Sequence, residues 1–212
     1  NYSIFLESNT LIVFVGNVIC GALMYAITPF IELFYGKSLS AGAVVMILFV
    51  LILYYRIIKL SMYTYANSSG LFKETKICAI LEAILNLILS LVLMKPFGMA
   101  GVLIATLISY IVADFTIKPH ILHKHIFNKS VKKYYFDTLI CVIPFVIISF
   151  MSILVFSKIL VAKNLIMWLI YSIIVFIFTF IFCFAYFCIF KKATWKDRFI
   201  KLIRGKMKNT IT

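Results

Sequence analysis

The chain has 212 residues, of which 64% are hydrophobic and only 13% charged. A water-soluble core would hold about 45–50% apolar and about 25% charged residues, so a soluble globular fold is excluded. The net charge of +14 does not signal nucleic-acid binding, because the cations sit beside apolar runs, as they do in cytoplasmic loops of membrane proteins.

Apolar runs long enough to cross a bilayer recur throughout, which predicts an all-α, polytopic helical membrane protein. Alternating ten-residue segments of a β-barrel are absent from the sequence. Six spans are predicted, over residues 10–34, 39–64, 76–95, 98–118, 138–157 and 165–190. With the N-terminus inside, seventeen of the 21 Lys and Arg residues fall on the inner side, which places both termini in the cytoplasm. The first residue is Asn, so the chain is expected to begin inside a longer one. Five scattered cysteines match no metal or disulfide framework.

Span one carries Asn17, Gly21, Tyr25, Thr28 and Glu32 along one face, with Pro29 loosening its outer end, either structurally or as part of a gate. Span two ends in Tyr54-Tyr55-Arg56 and runs on to Lys59, Tyr63 and Asn67 at spacings of three and four. Arg56 and Lys59 either snorkel to the inner headgroups, or Arg56 turns into the bundle and pairs with Glu82.

In span three Cys78, Glu82, Asn86 and Ser90 recur every fourth residue and form one narrow stripe. A carboxylate and a carboxamide facing acyl chains are costly, so the stripe is predicted to point inward with the other spans packed against it. At 1.5 Å per residue Glu82 lies about 9 Å and Asn86 about 15 Å from the inner end. Span four repeats Gly101, Ala105 and Ser109, a seam that admits a neighbouring helix closely. Beside it run Thr106, Tyr110, Asp114 and Lys118, so Asp114 reaches the layer of Glu82 and Arg56. That layer is either an ionic network holding the helices in register, or a cytoplasmic gate or cation-coupling site.

The 119–137 segment is predicted to be an inner loop. Its His120, His123 and His125 either ligate a metal or, in this basic setting, belong to a cationic interfacial loop. Spans five and six lack a polar stripe, and are predicted to be peripheral additions facing lipid on most sides. The tail 191–212 is basic and amphipathic, predicted to lie on the inner surface, with nucleic-acid binding the weaker alternative. Phosphate loops and hydrolase or metalloprotease motifs are absent, so no cofactor and no catalysis are expected.

The run Asn67-x-x-Gly70-Leu-Phe-Lys73-Glu-Thr-Lys76, then Glu82-x-x-x-Asn86-x-x-x-Ser90, then Phe97-Gly98-x-x-Gly101-Val-Leu-Ile-Ala-Thr106 carries a resemblance. Pro29-Phe30-Ile31-Glu32-Leu33, Tyr54-Tyr55-Arg56 and Pro119-x-Ile-Leu-x-Lys124 support it. The pattern resembles the C-terminal half of the polysaccharide flippases, a branch of the MOP superfamily that also holds the MATE exporters, over residues 10–136. The one departure is Ala105, where that family usually has Gly.

The resemblance implies residues 1–137 as one MOP-like lobe with its cytoplasmic loop, 138–190 as two extra helices, and 191–212 as the tail. It implies two lobes around a cavity in alternating access, moving undecaprenyl-pyrophosphate-linked oligosaccharide across the bacterial inner membrane for capsule or lipopolysaccharide synthesis. Partners would be membrane lipids, the lipid-linked oligosaccharide, and either the missing N-terminal lobe or a second copy. Site candidates are Arg56, Asn67, Lys73, Glu82, Asn86 and Asp114. The competing functions are a MATE-like small-molecule exporter and a non-transporting scaffold of envelope assembly.

Overall fold

Segments this apolar satisfy their backbone N–H and C=O groups most cheaply within themselves, which selects helix. The computed structural model describes residues 2–36 and 42–190. Among them the ordered elements are all helical, and six helices are long and apolar enough to cross a membrane. They are α1 (Tyr2–Tyr35), α2 (Ala43–Ser68), α3 (Phe72–Phe97), α4 (Met99–Phe127), α5 (Lys132–Ile159) and α6 (Leu165–Phe190). Lys37, expected in an outer loop, and the tail 191–212, expected to lie on the inner surface, fall outside the described residues.

The six predicted spans correspond to these helices with several boundaries revised; α1 begins at Tyr2 and α2 runs on to Ser68. The expected inner loop 119–137 is mostly helix: α4 continues to Phe127 and α5 begins at Lys132. Pro119 does not break α4: the wide turn Tyr110–Ile117 runs directly into the segment Lys118–Leu122 that contains it. Asn128 ends α4 in the left-handed conformation, φ 47°, which a short polar side chain tolerates.

The centre of the bundle is α1. Val13, Val18 and Cys20 of α1 pack with Val50 and Tyr54 of α2, Phe145 and Ile148 of α5, and Cys183 and Phe187 of α6. Tyr54 and Phe145 stack with ring centroids 3.7 Å apart. Small residues let these helices approach. A Cβ on Gly21 would stand 2.9 Å from Ile148 and 3.2 Å from Thr179, so α1 is pressed against both α5 and α6. Amides then tie the helices. Asn17 donates to the Cys141 carbonyl at 2.8 Å and accepts from the Tyr54 hydroxyl at 2.6 Å. Asn9 donates to Thr138 and accepts from Ser61.

This arrangement differs from the expectation that the striped α3 organises the bundle, while α6 leaves most of its surface exposed, with Val175, Thr179, Cys183 and Phe187 buried. Helices α5 and α6 pack on α1, and α3 is the edge helix, with Cys78 its one fully buried residue. The reason is shape: α1 offers glycines and buried amides to its neighbours, whereas α3 presents bulky Ile and Leu on every side but one. Its partner is α4. The Gly101-Ala105-Ser109 seam is buried there, and a Cβ on Gly101 would fall 2.0 Å from the Leu93 carbonyl oxygen.

Candidate functional site

Two helices bring basic residues to one level. In α2 the helix relaxes at Lys59, the joint between its two regular segments, Ala43–Ile58 and Leu60–Ser68. Spacings of three and four put Tyr55, Arg56, Lys59 and Tyr63 on neighbouring faces there. In α4 the helix widens into a π-turn over Tyr110–Ile117, which carries Asp114 and leads into Lys118. Wide turns inside helices are frequent at functional sites.

The result is a charged layer. Lys59 Nζ lies 2.7 Å from Asp114 Oδ2 and 3.9 Å from Glu82 Oε2. Lys118 Nζ lies 2.5 Å from Asp114 Oδ1. Asp114 is 4% exposed and Lys118 6%. Two carboxylates thus face two ammonium groups across α2, α3 and α4. Buried charges are tolerated when balanced this way, and removing one member leaves the others uncompensated. Rings line the layer: Lys59 Nζ is 4.3 Å from the Tyr110 ring centroid, and Lys118 Nζ is 5.2 Å from that of Tyr63. A cavity of about 10 Å³ lies against Lys59, Asp114, Lys118 and Tyr134. That is the space of about one water molecule.

Of the predicted site residues, Glu82 and Asp114 are brought together. Arg56 does not pair with Glu82; Lys59 holds that place. The Arg56 side chain is exposed, and its Nε donates to the Tyr110 hydroxyl at 3.1 Å. Arg56 stands three residues before Lys59 on α2, and it is Lys59, at the joint of the helix, that reaches both carboxylates. Asn86 forms a second polar layer one turn from Glu82. Its Oδ1 accepts from Ser90 at 3.0 Å and from Thr106 at 3.5 Å. Asn67 and Lys73 are not part of either layer: Asn67 lies in the last turn of α2, and Lys73 is exposed at the start of α3.

Sequence reasoning left out Lys59, Lys118 and Tyr110 as site residues. Their signal was present, since Tyr110, Asp114 and Lys118 repeat every fourth residue and Lys59 stands one turn beyond Arg56. Two of the three histidines turn back on their own helix. His120 Nδ1 is 2.6 Å from the Thr116 carbonyl oxygen and His123 Nδ1 is 2.8 Å from that of Pro119. Among the described residues, no cluster of three His, Cys, Asp or Glu could hold a metal ion.

Chemically, the layer offers exchangeable cationic partners for an anion, and a pair of carboxylates for a cation or proton. Comparison with protein-family models, with curated proteins and with solved structures gives no match for this chain. What the fold itself defines is a class: an all-helical chain, among the described residues, with six helices of membrane-spanning length and apolarity.

Proposed function

We propose that the six helices span the bacterial inner membrane with both termini inside, and that the chain is part of a flippase. Its cargo is undecaprenyl-pyrophosphate-linked oligosaccharide, delivered to the outer leaflet for surface polysaccharide synthesis. The observation that carries this reading is the balanced ionic layer of Lys59, Glu82, Asp114 and Lys118. A pyrophosphate cannot cross hydrocarbon alone, because burying ionised groups costs several kcal/mol or more each. Lysines already held beside carboxylates can change partners as the cargo passes, and Asn86, Ser90 and Thr106 offer replacements for lost sugar hydration one turn away. No bond breaks, so the process is transport.

A second reading is favoured by one observation: both carboxylates approach the same ammonium group, that of Lys59. Such a site suits a MATE-like exporter that exchanges a small cation against protons or sodium.

Surface polysaccharide display in cells separates the two. In the full-length context, Glu82→Ala and Arg56→Ala should each impair display, while Ser149→Ala should not. Wild-type display in all three variants removes the flippase reading. Loss of cationic-dye efflux with display intact supports the exporter.

A further inference from the structure

At the end of the bundle away from the ionic layer, α1, the start of α2 and the end of α5 enclose a cleft of about 490 Å³. That volume lies in the range of small-molecule sites. Its lining is divided by chemistry. Glu32 and Lys163 contribute opposite charges, Thr28 a hydroxyl, and Leu33, Ile47 and Ile153 apolar walls. Neither Glu32 nor Lys163 forms an ion pair among the described residues, so the cleft holds one carboxylate and one ammonium group that are not in direct contact. On the cleft's inner side Ser152 is 1% exposed, and its hydroxyl has no hydrogen-bond partner.

Position narrows the ligand. Glu32 lies in the last turn of α1, and Lys163 lies in the link between α5 and α6. With the helices spanning a bilayer, both charges stand at headgroup level and the apolar walls stand beside the outer acyl layer. A free anion would be repelled by Glu32, and a free cation by Lys163. A ligand that carries both signs meets both groups at once, and one with an acyl chain also covers the walls.

We propose that this cleft binds the headgroup of a zwitterionic phospholipid bearing a primary ammonium. Glu32 takes the ammonium, Lys163 takes the phosphate, and one acyl chain lies along Leu33, Ile47 and Ile153. The proposal rests on the bilayer placement of the helices, but not on transport by the ionic layer. Such a lipid would wedge α1 against α5 next to Pro29, the point where α1 lacks a backbone hydrogen bond.

The test is native mass spectrometry of the full chain released from nanodiscs of equal parts phosphatidylethanolamine and phosphatidylglycerol. Wild type should retain one phosphatidylethanolamine in preference to phosphatidylglycerol. Each ion pair at an exposed headgroup level changes retention by about two- to fivefold. Glu32→Gln should therefore erase the preference while keeping phosphatidylglycerol, and Lys163→Met should lower retention of both lipids. Size-exclusion profiles confirm that each variant is folded. Equal retention of both lipids by wild type, or a preference that survives Glu32→Gln, overturns the proposal. A chain that stays soluble without detergent and does not enter nanodiscs overturns the bilayer placement itself, a result separate from headgroup choice.

Discussion

Lys59 and Asp114, 55 positions apart in sequence, meet at 2.7 Å between α2 and α4. The contact is made where α2 relaxes and α4 widens into a π-turn. Glu82 approaches Lys59 from α3, so a single ammonium group links three helices. The same ammonium sits over the Tyr110 ring, whose hydroxyl binds Arg56. Cation, carboxylate and aromatic side chains therefore form one connected assembly across α2, α3 and α4.

The members of this assembly should differ sharply in their effect on stability. Asp114→Ala leaves the buried Lys118 without its carboxylate and Lys59 with Glu82 alone, and should cost about 3–5 kcal/mol. Arg56→Ala removes one hydrogen bond at an exposed side chain, and should cost about 1 kcal/mol. Thermal unfolding in detergent measures both. Equal losses would mean that Asp114 is not the node.

The α3–α4 seam makes a separate prediction. Gly101→Ala places a methyl group against the Leu93 carbonyl, where a Cβ would be 2.0 Å away. The hairpin must open, at a cost of about 1–3 kcal/mol. The same thermal measurement, with wild-type behaviour of Gly101→Ala, would show that α3 does not sit so close.

Around α1, the hydrogen bond from Tyr54 to Asn17 should be measurable by a double-mutant cycle of Tyr54→Phe and Asn17→Ala. Interhelical bonds of this kind contribute about 0.6–2 kcal/mol in membranes. A coupling of zero would place the two groups apart.

Topology can be read with thiol chemistry. In intact cells, a membrane-impermeant maleimide should label Lys163→Cys and leave Lys124→Cys unlabelled until the cells are opened. Both positions are exposed in the fold, so burial does not protect either. The reverse pattern would invert the assigned orientation.

The existence and order of the six helices were legible in the sequence because apolar length alone specifies them. Position within the bundle was not. The polar stripe of α3 marked correctly which face turns towards protein, since Glu82 meets Lys59 and Asn86 meets Thr106. It did not reveal that α3 stands at the edge. Centrality follows from how closely helices approach, and that is decided by Gly16 and Gly21 and by the amides Asn9 and Asn17 of α1. The partner of Glu82 was also out of reach. Arg56 and Lys59 lie three residues apart, and choosing between them requires the local relaxation of α2 and the π-turn of α4, neither of which leaves a periodic signal.

The most direct test of the ionic layer as the working part of a translocator uses proteoliposomes containing the protein in its full-length context. Translocation of a fluorescent undecaprenyl-pyrophosphate oligosaccharide is followed for wild type, Asp114→Asn and Asp114→Glu. We expect transport to fall at least about tenfold in Asp114→Asn, equivalent to about 1.4 kcal/mol, and to be retained in larger part in Asp114→Glu, which keeps the carboxylate beside Lys59 and Lys118. Wild-type transport by folded Asp114→Asn would contradict the account.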